Sequence, residues 1–163
     1  MLSEQFQLHA EIEQRHWWFV ARRAILAQLL AEVVPPGRRS VLVDVGCGTG
    51  ANIAALADRY FAIGIDTSAQ AIDLARQRFP AVRFVLGTAP DDLGPLANQA
   101  DAFLLTDVLE HVEDDRAMLG RLVEAARPGS YFLITVPADM SLWSEHDRSF
   151  GHHRRYDRQL LER

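Results

Sequence analysis

Five short apolar segments, separated by segments with helical spacing, constrain the fold of this chain more than any other feature. The five segments are residues 40–45, 61–65, 82–86, 101–106 and 130–136. Each is a short, predominantly apolar run of strand length, which is typical of strands that are buried on both faces. Between the second and third of them, residues 67–79 begin with a Thr-Ser pair suited to an N-cap and are followed by a proline, as expected of a helix.

Three further helices are predicted. One has apolar residues at helical spacing from Arg22 and stops at Pro35. Another covers residues 113–127, with acids in its first turn and a basic residue in its last, as the helix dipole favours. The third follows the first strand, and one face of it would carry Ile53, Leu56, Ala57 and Tyr60. The first fifteen residues combine alternating and helical features, and both readings stay open.

Strands that alternate with helices indicate βαβ units and a parallel sheet covered on both faces. We therefore predict a doubly wound, mostly parallel α/β fold. Ligands bind such sheets beyond the carboxyl ends of the strands. The residues that directly follow each strand are thus the predicted site.

Composition excludes several classes of protein. The chain has 163 residues, 48% of them hydrophobic, and a formal net charge of −5, so it can form a core but lacks the positive charge that nucleic acids or anionic membranes attract. Cys47 is the sole cysteine, which rules out an intrachain disulfide. Residues 1–14 do not resemble a signal peptide, and no apolar run is long enough to span a membrane. We expect a cytoplasmic protein without a nucleic-acid partner.

The segment "VDVGCGTG" at residues 43–50 carries three glycines between the first strand and a helix. Gly46, Gly48 and Gly50 allow positive φ and let a ligand approach the backbone, and the helix N-terminus adds free N–H groups. With Ala51 and with Asp66 about twenty residues on, the segment also satisfies the dinucleotide pattern. These features predict an adenosine-type cofactor and do not say which one.

Asp44 favours one of these cofactors. It is a charged residue inside an apolar strand, two positions before the first glycine, and a buried carboxylate is costly unless it is paired. A pyrophosphate has no use for a nearby negative charge, whereas a cationic ligand does. Cys47 behaves here as a small apolar residue that fits where the loop meets the sheet.

At this point the sequence resembles the class I S-adenosylmethionine-dependent methyltransferases. "DVGCGTG" matches their first motif, and "GIDTS" matches the acid that closes their second strand. "DAFLLTDVLEHVEDD" and "RPGSYFLITVP" are similar to their fourth- and fifth-strand segments. The resemblance covers roughly residues 40 to 137, with four motifs in the right order.

The resemblance implies S-adenosylmethionine as cofactor and S-adenosylhomocysteine as product. It implies that Asp66 accepts the ribose hydroxyls, that Thr67 lies against the adenine, and that Thr88 stands where the family often has an acid, so that the backbone N–H of Ala89 would meet the ring. The implied cofactor-binding residues are Asp44, Gly46, Cys47, Gly48, Gly50, Asp66, Thr67, Thr88, Ala89, Thr106 and Asp107.

The acceptor side is predicted in "WSEHDRSFGHHRRYD", residues 143–157, which follows the fifth strand and is rich in His and Arg. A branch of the family carries a similar stretch, together with an N-terminal segment like "HWWFVARR" at 16–23. This branch is sometimes linked to polysaccharide or lipid pathways, so the resemblance implies a small-molecule acceptor that is anionic or linked to a saccharide or lipid. The predicted acceptor-binding residues are Trp143, Asp147, Arg154, Arg155, Tyr156, Trp17 and Arg22. A solvated loop, and hydrophobic packing of the tryptophans, remain alternatives.

His146 and His152 are the candidate general bases, because histidine titrates near neutral pH. Glu110 and His111 form a weaker candidate pair after the fourth strand. Several residues of 146–153 are usable metal ligands, but their spacing matches no metal-binding motif. No metal site is predicted.

The family fold has two more strands after the fifth. A sheet of five strands would leave the segment 130–136 as an apolar edge, and such edges pair with other chains. We therefore expect either a piece of a longer protein or a homodimer that covers this edge.

The sequence thus predicts a methyltransferase that moves a methyl group to a small molecule by in-line displacement. We predict that the chain is divided into an N-terminal helical cap segment (1–38), a cofactor-binding α/β core (39–137) and an acceptor-side loop with the start of a helix (138–163). The alternatives are an NAD(P)-binding domain of an oxidoreductase and a cofactor-binding module without catalysis.

Overall fold

A computed structural model describes residues 3–162 of the chain. The strands are β1 (Gly37–Val45), β2 (Tyr60–Asp66), β3 (Arg83–Leu86), β4 (Ala102–Thr106) and β5 (Tyr131–Thr135). The helices are α1 (Ser3–Arg15), α2 (Trp17–Val33), α3 (Ala51–Ala54), α4 (Ala69–Arg78), α5 (Asp115–Ala125), α6 (Glu145–Ser149) and α7 (Arg158–Leu161). Three 3₁₀ segments are Asp91–Gln99, Leu109–His111 and Met140–Leu142. None of these helices is long and apolar enough to cross a membrane.

The strands form one sheet in the order β3-β2-β1-β4-β5, and every pairing is parallel. The predicted doubly wound α/β fold is confirmed. The chain reverses its direction of winding between β1 and β4, so the carboxyl ends of β1, β2 and β4 surround one crevice, as in other doubly wound sheets.

Alternation along the strands divides the core into two layers. Leu42 on β1 packs with Leu30 of α2 and Ile72 of α4, whereas Val43 packs with residues of the opposite face such as Leu122 of α5. Asp44, two positions after Leu42, therefore points towards the layer that contains the N-terminal helices.

The N-terminal region consists of two helices separated at His16. The His16 side chain accepts a hydrogen bond from the Trp18 backbone N–H at 3.3 Å and so caps the start of α2. The helix α2 begins five residues before the predicted start at Arg22 and ends next to Pro35, as predicted. The Arg23 guanidinium donates to the Glu13 carbonyl at 2.7 Å, which holds α1 against α2.

One predicted helix is wrong over most of its length. After Ala54 the chain continues in turns with i→i+3 hydrogen bonds, and Tyr60 is the first residue of β2 rather than part of a helical face. The Tyr60 ring is buried, and its hydroxyl donates to the Val34 carbonyl at 3.0 Å. Tertiary packing therefore fixes this residue in the strand, although its spacing fitted the helical pattern.

Strand β5 is at the edge of the sheet. Within residues 3–162 it pairs with β4 alone. Tyr131 at its start is about half exposed, and the strand residues that follow it are partly buried. The apolar edge expected from the sequence is present in the part of the chain that the structure describes.

Candidate active site

An open pocket of about 1240 Å³ lies at the carboxyl ends of the strands. Its floor is formed by the residues that follow β1, β2, β3 and β4, and its far wall by residues 146–155. Residues Glu13, Trp18, Phe19 and Arg22 of the N-terminal helices complete it. The pocket therefore occupies the place at which a doubly wound sheet binds its ligand.

The glycine loop needs glycine for two different reasons. Gly46 has a φ of 68°, and a Cβ atom there would come within 2.7 Å of a Val108 methyl group. Gly48 has a φ of 53°, and an added Cβ would meet no atom within 4 Å, although the residue lines the pocket. Gly46 is thus required by packing, whereas Gly48 leaves a backbone surface open to a ligand.

Asp66 closes β2 and lines the pocket. Its two carboxylate oxygens accept backbone hydrogen bonds from Gly48 and from Ser68, both at 2.8 Å. The residue therefore links the glycine loop to the start of α4. Each carboxylate oxygen retains a further lone pair with which to accept a hydrogen bond.

Asp44 is fully buried beneath the loop, and neither of its carboxylate oxygens has a hydrogen-bond partner within residues 3–162. Burial raises the pKa of Asp44 to about 8, against the opposing effect of the nearby Arg22 guanidinium. The Nε of Arg22 is likewise buried without a partner among the described residues. The acidic side chain of Asp44 and the basic side chain of Arg22 therefore lie close together, and each has hydrogen-bonding atoms without a partner among the described residues.

Arg22 is nevertheless anchored at its other end. Its Nη1 forms an ion pair with the Asp107 carboxylate, which also accepts from the Thr135 hydroxyl at 3.1 Å. Asp107 has a φ of 56°, a backbone conformation that aspartate tolerates better than most residues. Next to it, the Asn52 amide donates to the Thr106 hydroxyl at 3.0 Å. These contacts hold the end of β4 against α3, the short helix that follows the glycine loop.

Helix α1 is tied over the glycine loop by Glu13. The buried Glu13 carboxylate accepts from the Thr49 hydroxyl at 2.6 Å and forms an ion pair with Arg78 of α4. Arg78 also donates to the carbonyls of Thr49 and Ala10, at 2.9 and 3.0 Å. The N-terminal helix is thereby held as a cover on one side of the pocket.

Cys47 is buried beside Gly64 and Phe84. Burial raises the pKa of the Cys47 thiol, and the nearby Asp44 and Asp66 add to this effect. The thiolate that a nucleophilic cysteine requires is therefore disfavoured.

The opposite side of the pocket is a wall of histidines, formed by His111, His146 and His152 together with Glu110. The rings of His111 and His152 meet edge to face with their centroids 4.7 Å apart, and His146 lies against Phe150 at 4.3 Å. Burial raises the pKa of Glu110 to about 7. The pKa of His111 is lowered by burial and by its neighbour His152.

Asp147 supports this wall from behind. It is fully buried, and Arg155 donates to its two oxygens at 2.8 and 2.9 Å. Its carboxylate also bonds His152 Nδ1 at 3.0 Å and accepts from the Ser144 N–H at 2.9 Å. These bonds hold the pKa of Asp147 well below its usual range, and those from Arg155 contribute most. The stretch 144–155 is therefore a structured support and not a solvated loop.

The structure brings most of the predicted residues to one pocket. Both candidate bases, His146 and His152, line it. So do the predicted cofactor residues Gly46, Cys47, Gly48, Asp66, Thr67, Thr88, Ala89, Thr106 and Asp107, and the predicted acceptor residues Arg22 and Arg155.

The other predicted residues lie elsewhere. Asp44 and Gly50 are buried within the segment 43–50 and do not line the pocket, although Asp44 directly precedes the pocket-lining Val45. Trp17 and Trp143 are not among the pocket-lining residues either. Asp147 does not line the pocket either; its carboxylate holds the pocket residues Arg155 and His152 through hydrogen bonds. The Arg154 guanidinium forms an ion pair with Asp115 at 2.8 Å, and the buried Tyr156 donates to the same carboxylate at 2.6 Å.

Asn52 and Glu13 are polar pocket residues that the sequence-based prediction did not name. Asn52 follows the glycine loop in the first turn of α3, and a polar residue at that position was the available signal. Glu13 lies on α1, far from every motif in sequence. No local pattern could have placed it at the pocket.

The comparison with known families gives one match for most of the sheet. Residues 43–134, more than half of the chain, match the model of the methyltransferase domain. This range contains the glycine loop, Asp66 and the segment after β4, which are the motifs that predicted the pocket.

Curated relatives and solved structures extend the likeness. The chain is 34% identical over 131 residues to trans-aconitate 2-methyltransferase of Deinococcus radiodurans, a match that covers 78% of this chain and 49% of the relative. It is 30% identical over 130 residues to the protein of the same name from an Azoarcus species, covering 77% and 50%. The chain thus spans about half the length of the curated relatives it matches.

Among solved structures, CalS10 with bound S-adenosylmethionine, an amino pentose methyltransferase from Micromonospora echinaspora, is 26% identical with a TM-score of 0.64, covering 78% of this chain and 54% of that one. DesVI of Streptomyces venezuelae has a TM-score of 0.67 at 20% identity and covers 83% and 60%, a likeness of fold alone. The matched domain, its motifs in order and the parallel sheet together show that this chain belongs to the methyltransferase domain family, whose class I fold its sequence resembles.

Proposed function

We propose that the protein binds S-adenosylmethionine in this pocket and transfers its methyl group to a small-molecule acceptor. The observation that carries the proposal is the pair of unsatisfied groups beside the glycine loop. The buried Asp44 carboxylate has no partner, and the nearby Arg22 Nε has none, among residues 3–162. An amino-acid moiety offers an ammonium and a carboxylate, which are the two complementary groups.

The remaining residues of the floor fit the rest of such a cofactor. Gly48 offers open backbone, and Asp66 retains lone pairs for ribose hydroxyls. Thr67 and Ala89 line the pocket next to Asp66, where the adenine would lie. When bound, the cofactor supplies an activated methyl group on a positively charged sulfur.

The protein's own part is alignment, exclusion of water and removal of a proton. Helix α1 and the aromatic residues Trp18 and Phe19 border the pocket and can exclude water from it. His146 and His152 are the candidate bases for an acceptor that must lose a proton. Asp147 fixes the orientation of His152 through the 3.0 Å bond to Nδ1.

We infer an anionic acceptor. The two curated relatives are named for trans-aconitate, a small carboxylic acid. In this chain the acceptor end of the pocket holds the guanidinium of Arg155. Two of its five N–H groups are bonded to Asp147 and one to the Ala138 carbonyl, which leaves two that can donate to a carboxylate. An acceptor linked to a saccharide or lipid stays a prediction from the sequence.

Calorimetric titration with S-adenosylhomocysteine and, separately, with NAD tests the cofactor. We expect the first to bind with one site per chain and the second not to bind. Binding of NAD alone would contradict the proposal and favour an oxidoreductase domain.

Release of S-adenosylhomocysteine from S-adenosylmethionine, with trans-aconitate as the first acceptor tried, tests turnover. The matched variants His146→Ala and His152→Ala should lower the rate while they leave S-adenosylhomocysteine binding in place. Tight cofactor binding without turnover on any carboxylic acid would support a binding module instead.

Two further predictions concern the whole protein. If the protein forms a homodimer through the edge of β5, light scattering should give the mass of two chains for the wild type and of one chain for the variant Tyr131→Lys.

A cytoplasmic location, predicted from the sequence, is tested by cell fractionation.

A further inference from the structure

Three metal-ligating side chains meet on the histidine wall. Glu110 and His111 belong to the 3₁₀ turn that follows β4, and His152 follows α6. One ligand atom from each of the three can be chosen such that all lie within 4.8 Å of one another. Ligand atoms around a tetrahedral zinc ion are about 3.3 Å apart, so a shift of about 1 Å at the ends of these side chains would close the site.

The carboxylate of Glu110 is the second observation that points to a ligand here. The side chain is only 1% exposed, and its Oε2 has no hydrogen-bond partner within residues 3–162. Its backbone carbonyl is fixed by the His153 N–H at 2.7 Å. A buried carboxylate oxygen without a partner is costly, and a cation bound beside it would remove that cost.

His152 is already oriented as a ligand. Its Nδ1 bonds the Asp147 carboxylate, which receives two further bonds from the Arg155 guanidinium. A carboxylate can only accept, so Nδ1 must carry the proton, and Nε2 of the neutral ring is left with a free lone pair. Metal-binding histidines commonly donate their other nitrogen to a carboxylate in this way.

We propose that Glu110, His111 and Nε2 of His152 bind a divalent transition metal ion in the wall of the pocket. Two imidazoles and one carboxylate suit Zn²⁺ and Fe²⁺ and leave coordination positions open. All three residues line the pocket, so an open position faces the ligand. If the proposed function holds, an anionic oxygen of the acceptor occupies that position, and His146, not the metal-bound His152, is the candidate base. The metal site itself stands without the proposed function.

The local sequence does not reveal this site. Glu110 and His111 are adjacent in sequence, and His152 lies on the far side of β5. Only the docking of the segment 144–155 onto the turn after β4 brings the three together.

Calorimetric titration of the untagged, metal-stripped protein with Zn²⁺, in the absence of any cofactor, tests the proposal. We expect one ion per chain, with affinity reduced at least about 10-fold in Glu110→Gln and in His152→Gln. The matched control is His16→Asn, because His16 does not line the pocket and asparagine is also an N-cap; its affinity should equal that of the wild type.

Zinc X-ray absorption of the loaded wild-type protein provides a readout that does not depend on the folding of the variants, and two imidazole ligands are expected. Absence of stoichiometric binding, fewer than two imidazoles, or equal affinity in the folded variants and the control would overturn the site. S-adenosylhomocysteine titrated into the same metal-free protein separates the two proposals, since its binding tests the cofactor pocket and not the metal.

Discussion

The two sides of the pocket are built in opposite ways. The glycine-loop side comes from residues 43–67, where a strand, a loop, a short helix and a second strand follow one another directly. The histidine wall combines the turn after β4 with a segment beyond β5, and it depends on bonds such as that between the His153 N–H and the Glu110 carbonyl. Each side nevertheless contains a buried carboxylate with an unused oxygen, Asp44 in one and Glu110 in the other.

This difference teaches where local sequence is informative. On the glycine-loop side the ligand surface is backbone, so the pattern of glycines and one acid encodes it. On the histidine wall the functional surface consists of side chains whose neighbours are distant in sequence. Such a surface depends on how the segments dock.

The largest expected effect concerns the pH dependence of stability, and it compares Asp44 and Glu110, the two buried acids with unpartnered oxygens among residues 3–162. The pKa of Asp44 is raised from 3.8 to about 8 in the fold. Between pH 5 and 8 the folded state therefore holds a proton that the unfolded chain has lost, so stability falls as pH rises. A shift of this size corresponds to at most about 6 kcal/mol.

Asp44→Asn should flatten this decline, as measured by urea unfolding at pH 5, 6.5 and 8. Glu110→Gln should flatten it less, because the pKa of Glu110 is raised only to about 7. An unchanged slope in Asp44→Asn would show that the carboxylate finds a partner in the ligand-free protein.

The next largest effect concerns ligand binding. Asp66→Ala should weaken S-adenosylhomocysteine binding about 100-fold, since it removes a charge-assisted acceptor and the link between Gly48 and Ser68. The matched control is Asp73→Ala, an exposed acid on α4, which should bind as the wild type does. Calorimetry measures both, and similar affinities for the two variants would remove Asp66 from the site.

A paired substitution in the loop separates packing from ligand approach. Gly46→Ala places a Cβ against Val108 and should lower the free energy of unfolding by about 2–3 kcal/mol. Gly48→Ala meets no atom and should cost about 1 kcal/mol for its positive φ, yet it should weaken S-adenosylhomocysteine binding.

Chemical denaturation and calorimetry on the same two proteins give both quantities. If Gly48→Ala left ligand affinity unchanged, the ligand would not approach the loop at that position.

The smallest expected effect concerns the cover of the pocket. Glu13→Gln weakens the ion pair with Arg78 and keeps an acceptor for Thr49, so we expect a loss of about 1 kcal/mol. Faster hydrogen exchange in α1, with no change in β1, would confirm that Glu13 fastens the helix locally. Equal acceleration in both elements would mean that the helix belongs to the global unfolding unit.

Much of the fold follows from the sequence. The five strands lie within three residues of their predicted ends, because a buried parallel strand needs a continuous apolar run that is legible locally. The helix predicted through Tyr60 is wrong because the same apolar residues can also face the core from turns and from the first residue of a strand. Their spacing alone does not distinguish these structures.

The sequence by itself determined the glycine loop, Asp66 and the sheet that carries them, since strand, turn and helix N-terminus are properties of adjacent residues. Only the tertiary structure decided that Glu13 covers the loop, that Asp147 supports His152, and that Arg154 and Tyr156 are bound to Asp115 away from the pocket. Those contacts join segments that are far apart in the chain. Their partners are chosen by the packing of helices on the sheet, which no local pattern records.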